Sequence, residues 1–461
     1  MREEDKFSGN FLQKVEKDVL LQETNEFITK MRYGVVTCLF FAMMCLFGCG
    51  EDRTYEYLEL TQENQWVLEK MQDVYLWNDS IKVPKRQDFF AKSSRFFQSI
   101  LFKGDRYSQF SDSAISTGYG ISYAVMRDPL GVQKSKTYAL VLFVEPGSPA
   151  AQAGLKRGDW ISKVGNYTLT SSNYGYLDRG DATTLCTTKI VFDEENMKYK
   201  WQNGDTLQMG VATTLSPRDL YVDTVYVQRG HKIGYLACNA FSVDGEGEIA
   251  AALERFADKG VTDLIVDLRY NGGGSITAAS QMASMIVPAE NVGGFFCKLA
   301  HNTLNSARDV TYEFVQAPTL SLDKLYVICG AGTRGAAEVF IAAMRKTLGY
   351  NNAVVIGETT AGENIATETF VSTYDFSISP ATAFVKDSDG AVMYSGGIVP
   401  SYAMNELSDI YKIYNLGSLQ EYMLYNTIYY IVNGSFPQNA LSLRADVKSG
   451  AFSMARKSIS R

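Results

Sequence analysis

The strongest constraint on the fold is an alternation of strand-like and helix-like segments between residues 227 and 406. Apolar runs typical of buried strands lie at 233–241, 264–266, 325–329 and 353–356. Apolar residues at helical spacing lie between them, as at 249, 252, 253 and 256, and another helix-like run occupies 336–348. Alternating strands and helices predict parallel crossovers with helices packed on a sheet. The alternation therefore predicts an α/β core.

The rest of the chain has different patterns on either side of this core. Residues 55–112 place Val67, Met71, Val74 and Tyr75 on one helical face, which predicts a small helical N-domain. Residues 113–214 contain short β-like runs separated by glycine. The predicted fold class is therefore a multidomain α/β (α+β) protein. The predicted segments are an upstream extension with a signal peptide (1–48), a linker with the helical N-domain (49–112), a β-domain (113–214), the α/β domain with a C-terminal helix (215–435) and a loose tail (436–461).

A glycine-rich signature lies inside the β-domain. It reads Val-Glu-Pro-Gly-Ser-Pro-Ala at 144–150, Ala-Gly-Leu at 153–155 and Gly-Asp-Trp-Ile at 158–161. Its physical logic is a Pro-Gly turn, a short helix, a glycine C-cap and a turn into a buried strand. This pattern resembles the PDZ signature of bacterial proteases.

The PDZ resemblance implies a loop that binds peptide carboxylates. The candidate residues are Gly118, Tyr119, Gly120 and Ile121, where glycines let backbone N–H groups converge on a terminal carboxylate. An added peptide strand would then pair with the edge of the sheet. The alternative interpretation of these four residues is an ordinary turn between strands.

Two motifs in the α/β domain carry a second resemblance. The first is Asp-Leu-Arg-Tyr-Asn-Gly-Gly-Gly at 267–274, and the second joins Thr-Arg-Gly-Ala-Ala-Glu at 333–338 to Gly-Glu-Thr-Thr-Ala-Gly-Glu-Asn at 357–364. With the two preceding domains, they resemble the C-terminal-processing (tail-specific) serine peptidases over residues 55–435. This resemblance implies peptide hydrolysis by a serine and a neutral lysine, with backbone N–H groups holding the oxyanion. It implies no cofactor and no metal.

The two reactive positions depart from that family pattern. The nucleophile position is Gly335, which has no side chain, and the base position is Glu363, an acid. The residues expected at the oxyanion hole, Gly272, Gly273 and Ala336, are retained. Loss of the nucleophile from a unit of this kind typically lowers turnover by about 10⁶. The resemblance therefore predicts a peptidase-like protein whose hydrolytic activity is doubtful.

Three functions remain open at this point. The first is a pseudopeptidase that binds polypeptide C-termini or unfolded peptides through the β-domain. The second is an active serine-type peptidase with a displaced nucleophile and base, such as Thr333 and Lys346, or with Glu363 acting as a general base on water. The third is a structural lipoprotein whose sites are vestigial.

The N-terminal region predicts export. Residues 33–48 are apolar or small and uncharged, which suits the core of a signal peptide and is short for a membrane span. The segment ends in Leu-Phe-Gly-Cys at 46–49, which resembles a bacterial lipobox with Cys49 as the lipidated residue. Residues 1–30 do not fit the start of a signal peptide, so we interpret Met31 as the first residue of that peptide. The predicted location is the bacterial outer membrane, facing the periplasm or the surface.

Charge and cysteine content argue against nucleic-acid binding and against a zinc site. The formal net charge is −7 and no basic run is present, so no nucleic-acid partner is expected. After Cys49, four of the seven cysteines remain, and their spacings match no zinc pattern. The sequence predicts neither a monomer nor an oligomer.

Overall fold

The computed structural model describes residues 54–113, 117–133, 136–215, 218–242, 245–315, 318–411 and 413–438, together with Met31 and Arg456–Lys457. The chain forms two compact units, Met1–Gln62 and Glu63–Arg461. In the first unit, the described residues belong to helices. All contacts discussed below lie within the second unit.

From residue 54 to residue 113, the structure places two α-helices and one short strand. They are α1 (Thr54–Val74), α2 (Ser93–Ile100) and β1 (Gln109–Ser111). Buried Val67, Met71, Phe96 and Phe97 of this segment share one hydrophobic cluster with residues of the α/β domain between 365 and 381. The predicted helical N-domain thus has no separate hydrophobic core among the described residues, because its apolar faces are completed by strands from the far end of the sequence.

The β-domain follows, built on one antiparallel sheet and a separate pair of short strands. Its elements are β2 (Thr117–Gly118), β3 (Ile121–Arg127), β4 (Thr137–Val144), α3 (Pro149–Gln152), β5 (Trp160–Val164), β6 (Tyr167–Thr168), β7 (Thr183–Asp193), β8 (Lys198–Met209) and β9 (Thr213–Thr214). Strands β3, β4, β5, β7 and β8 are neighbours in that order, and β6 pairs with β5. Strands β2 and β9 pair with each other, so the two ends of the segment meet. The assignment of this sheet as a PDZ domain stays a prediction.

The α/β domain is built on a mostly parallel sheet. Its first elements are β10 (Leu220–Gln228), β11 (His231–Cys238), α4 (Glu246–Asp258), β12 (Asp263–Asp267), α5 (Ile276–Ile286), β13 (Phe295–His301), β14 (Val310–Glu313), β15 (Leu325–Cys329), α6 (Ala336–Leu348) and β16 (Ala353–Gly357). The remaining elements are β17 (Ile365–Thr367), β18 (Phe370–Val371), β19 (Ser377–Ser379), β20 (Ala381–Lys386), β21 (Tyr402–Ala403), α7 (Tyr422–Asn433) and β22 (Arg456–Lys457).

The order of the main sheet places the candidate motifs at one edge. The strands run β10, β11, β12, β15, β16, β21, and all neighbours from β11 onward are parallel. The motifs at 267–274, 333–338 and 357–364 begin at or after the carboxyl ends of β12, β15 and β16 respectively. Carboxyl ends of parallel strands share one edge of a sheet, where ligands commonly bind.

Alternation along the strands fills a core on each face of this sheet. Leu236 and Cys238 of β11 face one cluster, which includes α4, α5 and α6. Ile233, Tyr235 and Ala237 face the other cluster, which contains α7 and Phe143 of the β-domain. Helices on both faces confirm the predicted α/β class with parallel crossovers.

A buried ionic network joins the β-domain to the α/β domain. Arg269, in the turn after β12, donates to Glu421 Oε1 at 2.8 Å and to Asp267 Oδ2 at 2.7 Å. Arg157 of the β-domain donates to Glu406 Oε2 at 3.3 Å. The side chains of Arg269 and Glu421 are 3% and 2% exposed. A buried charge is tolerated only when it is paired and hydrogen-bonded, so each partner depends on the others.

A few residues of the predicted loose tail make contacts among the described residues. Phe436 stacks on Tyr430 with ring centroids 4.7 Å apart. Arg456 and Lys457 form β22, which pairs with β3 of the β-domain. The loose tail at 436–461 stays a prediction.

We predict that Glu421→Gln destabilises the fold in a pH-dependent manner. Burial raises the pKa of the Glu421 carboxyl, but the charge and hydrogen bonds of Arg269, helped by Arg157, outweigh burial and leave the pKa below its ordinary value. A lowered folded-state pKa contributes stability that is present above about pH 4.5 and is lost as the pH falls through the folded-state pKa. The variant should lose on the order of 3–5 kcal/mol of unfolding free energy at pH 7.

Urea unfolding at pH 7 and at about pH 4 measures this effect. Glu254→Gln, at an exposed position of α4, is the matched control. The difference between the two variants should shrink at the lower pH. Equal unfolding free energies for the two variants at pH 7 would contradict the stabilising role of Glu421.

Candidate functional site

The glycine turn after β12 is fixed by buried hydrogen bonds. Asn271 is fully buried; its amide nitrogen donates to the carbonyl of Cys238 at 3.2 Å, and its Oδ1 accepts from Gly273 N–H at 2.8 Å. Gly274 has φ = +122°, and a Cβ at this position would lie 2.2 Å from the carbonyl oxygen of Phe241. Only glycine fits there, so the turn passes tightly against the segment that follows β11.

Gly335 lies directly before α6 with an uncommon backbone conformation. Its φ and ψ are 55° and −125°, a region in which non-glycine residues pay about 1–3 kcal/mol. A Cβ at this position would lie 3.5 Å from Gly273 Cα and 4.0 Å from Glu363 Oε2. The structure therefore brings together the nucleophile position, the base position and the glycine turn, as the motifs predicted. Space for a side chain is present at position 335.

Glu363 forms an ion pair in place of a free base. Its Oε1 accepts from Arg334 Nη1 at 3.2 Å, and both side chains are about one third exposed, at 35% and 36%. The hydroxyl of Tyr394 donates to the carbonyl of Glu363 at 2.9 Å and lies 3.5 Å from the carbonyl of Gly335. The predicted base position thus holds a carboxylate paired with a guanidinium.

Glu338 connects the helix start to the loop that carries Glu363. It is fully buried, and its Oε1 accepts from Gly362 N–H at 2.7 Å and from the hydroxyl of Thr360. Its Oε2 accepts from Glu363 N–H at 2.8 Å and from Gly335 N–H at 3.2 Å. Burial raises the pKa of the Glu338 carboxyl against the opposing effect of these hydrogen bonds. One side chain therefore sets the distance between the two reactive positions.

The candidate oxyanion residues are adjacent, but one donor is already engaged. A Cβ on Gly273 would lie 3.3 Å from the backbone nitrogen of Ala336, so the glycine turn touches the start of α6. The N–H of Gly273 points to Asn271 Oδ1. Gly272, the third candidate, lies between Asn271 and Gly273 in the turn and is partly exposed. Their role in holding an oxyanion stays a prediction.

Thr333 and Lys346 do not form a displaced nucleophile and base. Thr333 is fully buried; its hydroxyl donates to the carbonyl of Leu268 at 2.7 Å and accepts from Gly330 N–H at 3.0 Å. Lys346 is exposed and pairs with Asp389 Oδ2 at 2.7 Å, which raises the pKa of its amine. A catalytic lysine needs a lowered pKa, so this pair has the wrong environment for nucleophilic catalysis.

The predicted carboxylate loop packs closely against the β-domain signature. Gly120 has φ = +77°, and a Cβ there would lie 2.3 Å from Ser148 Cβ. The carbonyls of Tyr119 and Gly120 accept from Ala150 N–H at 3.1 Å and Glu145 N–H at 2.8 Å. The Gly118–Ile121 loop is thus held by the Pro-Gly turn and the short α3 helix.

A cavity of about 180 Å³ opens beside this loop. It is lined by residues of the β-domain, among them Tyr119, Tyr167, Tyr176, Arg179 and Asp181. Aromatic walls with a cation and an anion at the rim can take an apolar or mixed side chain.

Other predictions lie outside the described residues or remain untested. Cys49 and residues 33–48 are not among the described residues. In the described part of the chain, no helix is long and apolar enough to cross a bilayer. Among the same residues, no group of three or more histidine, cysteine or acidic side chains is arranged to hold a metal ion.

Sequence reasoning missed three residues of the site. Glu338 was visible as a match to the family motif, but its four hydrogen bonds depend on the fold. Arg334 precedes Gly335 directly, and an adjacent guanidinium was a usable signal for an ion pair with an acidic residue. Tyr394 lies in a segment with no motif, so only the structure reveals it.

Comparison with known proteins shows what these elements are similar to. Residues 232–404 match the model of peptidase family S41, and residues 62–109 match the peptidase S41 N-terminal domain. The solved structure of a protein assigned as an S41 protease from Bacteroides fragilis NCTC 9343 has 26% identity and a TM-score of 0.70, and covers 80% of this chain and 97% of that chain.

Two curated relatives give the same result. The carboxy-terminal processing protease CtpA of Bacillus subtilis (strain 168) is 26% identical over 326 residues, covering 68% of this chain and 65% of that protein. A protein designated CtpA-like serine protease of Staphylococcus aureus (strain COL) is 24% identical over 317 residues, covering 67% of this chain and 59% of that protein. The chain therefore spans less than two thirds of the length of these relatives.

Proposed function

We propose that this chain, which carries the domain of peptidase family S41 and the S41 N-terminal domain, binds polypeptide segments without hydrolysing them. The observation that carries the proposal is Gly335. Gly335 occupies the predicted nucleophile position, directly before α6, with a positive φ. The predicted base position beside it holds Glu363 in an ion pair with Arg334.

The arrangement supports binding because the framework around the missing nucleophile is complete. The glycine turn, the start of α6 and the loop of Glu363 are held together by Glu338 and Asn271. Peptidases whose catalytic residues have been removed keep the contributions of the oxyanion site and of substrate binding. The same contributions can act here without a nucleophile. The loss is therefore confined to the two side chains that perform proton transfer and attack.

The β-domain is the proposed second binding element. We assign it as a PDZ domain whose ligand is a polypeptide C-terminus, with the carboxylate at Gly118, Tyr119, Gly120 and Ile121. Strand β3 follows this loop directly, so a peptide entering the loop is positioned to add as a strand along β3. The cavity beside Tyr119 would receive a ligand side chain.

Membrane attachment through Cys49 completes the proposed function. The lipobox-like sequence at 46–49 supports a lipid anchor in the cell envelope, with the β-domain and the α/β domain facing the periplasm or the cell surface. Mass spectrometry of the protein from the membrane fraction tests this. The predicted mature chain begins at a diacylated Cys49; a chain that retains residues 33–48 would contradict the anchor.

The wild-type protein should cleave unfolded casein no faster than a buffer control. Gly335→Ser and Glu363→Lys should each stay inactive, since either change alone leaves the reactive pair incomplete. The double variant should gain weak activity, because Arg334 lies beside position 363 and a neighbouring positive charge favours the neutral form of the introduced amine. The backbone strain at position 335 and small misplacements limit this gain.

Release of labelled peptide fragments measures that activity, with all variants purified in parallel. Lys346→Ala is the control variant, since Lys346 is exposed and away from the ion pair of Glu363. Wild-type turnover well above buffer that disappears in Lys346→Ala would contradict the proposal and establish a displaced catalytic pair. A non-additive gain in the double variant is the expected behaviour of residues that act as a unit.

Peptides with a free carboxylate should bind more tightly than the same peptides with an amidated end. Hydrogen bonds to a charged group contribute about 1.5–3 kcal/mol, so amidation should weaken binding by roughly tenfold or more. Titration of a fluorescent peptide with an apolar last residue measures the two affinities. Identical affinities would show that residues 118–121 form an ordinary turn and do not bind the carboxylate.

A further inference from the structure

The outer edge of β3 is the surface of the β-domain from which our inference starts. Strand β3 pairs with β4 on its inner side, and on its outer side its neighbour in the sheet is β22. Strand β22 consists of Arg456 and Lys457, which lie more than 300 residues later in the sequence. An edge strand presents a row of N–H and C=O groups that pair readily with another strand.

We propose that the outer edge of β3 is an interaction surface for a basic strand, and that its occupant in this protein is the chain's own segment around Arg456–Lys457. The inference rests on the proposed peptide-binding function of the β-domain and adds the regulation of that site. The bound tail occupies the same edge on which an external peptide would add.

The register of the pair supports this competition. Arg456 is opposite Ala124 and Lys457 is opposite Tyr123, with the strands antiparallel. From Arg456 to Lys457, the tail therefore runs toward Ile121 and the loop at 118–121. This is the direction that the carboxylate-binding hypothesis requires of an added peptide, so tail and peptide compete for the same backbone groups.

Charge also favours this occupant. Residues 439–461 contain five basic residues and one acidic residue, in a chain whose formal net charge is −7. On the β3 side, the hydroxyl of Tyr123, the residue opposite Lys457, contacts the Asp178 carboxylate at 3.0 and 3.1 Å. Asp178 is exposed, and Asp181 lines the cavity next to Tyr119. A strand with positive charge complements these acidic groups.

Tethering makes the tail a strong competitor. A segment attached to the same chain acts at an effective concentration on the order of millimolar when the connection spans the two sites. An external peptide occupies β3 only when its own concentration and affinity outweigh the effective concentration and affinity of the tail. The tail is thus an internal ligand that sets a threshold for binding.

The test compares two double variants of the full chain. Arg456→Pro with Lys457→Pro removes the N–H donors of β22 and is incompatible with a paired strand. Arg444→Pro with Lys448→Pro makes the same chemical change in the tail, away from β22. Hydrogen exchange of the β3 amides is measured for the wild type and both variants, without any added peptide. A synthetic peptide of residues 451–461, acetylated and amidated so that no terminal charge contributes, is then titrated into each protein.

The proposal predicts faster exchange in β3 for the 456/457 variant alone, and peptide binding at least about fivefold tighter to that variant than to the wild type. Faster exchange without tighter binding of this capped peptide would overturn the proposal, because the vacated edge of β3 would then take no basic strand; the peptide-binding function is tested separately by the free and amidated peptides described above. Unchanged exchange in the 456/457 variant would overturn the proposal. Protection of β3 that disappears on dilution of the wild type would also overturn it, because the occupant would then be the tail of a second copy.

Discussion

The architecture depends on the buried charge of Arg269. This guanidinium lies in the turn between β12 and the three glycines, and it is paired with Asp267 at the end of β12 and with Glu421, the residue before α7. Glu406 also lies within reach of it and accepts from Arg157, which belongs to the β-domain. The glycine turn is thus held in place by buried ion pairs that are costly to separate. Its position relative to the β-domain follows from the same pairs.

The backbone around positions 335 and 363 is held by contacts that do not depend on the side chains at those positions. Glu338 fixes the start of α6 and the loop at 360–363 through hydrogen bonds that do not involve the side chains at positions 335 and 363. A glycine at position 335 carries no hydroxyl and adopts the positive φ without strain. Glu363 pairs with Arg334. Both residues are compatible with the surrounding backbone contacts.

Local periodicity and motif spacing predicted much of this structure. The helix expected at 336–348 is α6, with the same bounds, and the strands expected at 264–266 and 325–329 are parts of β12 and β15. The proximity of Gly335 and Glu363 followed from the motifs alone. The pattern did not reveal α5, which follows the glycine turn and is rich in alanine and methionine. It also missed the packing of α1 and α2 on strands β17–β20 and the pairing of β22 with β3. These contacts join distant parts of the sequence, and no local pattern encodes them.

The central proposal is that the S41-like framework binds polypeptide here without hydrolysing it. The most direct measurement is exchange of ¹⁸O from labelled water into the terminal carboxylate of an unlabelled peptide, followed by mass spectrometry. A peptidase that can form and break an acyl intermediate incorporates the label into such a peptide without net cleavage. The account predicts incorporation equal to that of buffer in the wild type, with incorporation above buffer in Gly335→Ser/Glu363→Lys. Incorporation by the wild type that scales with its concentration would contradict the account.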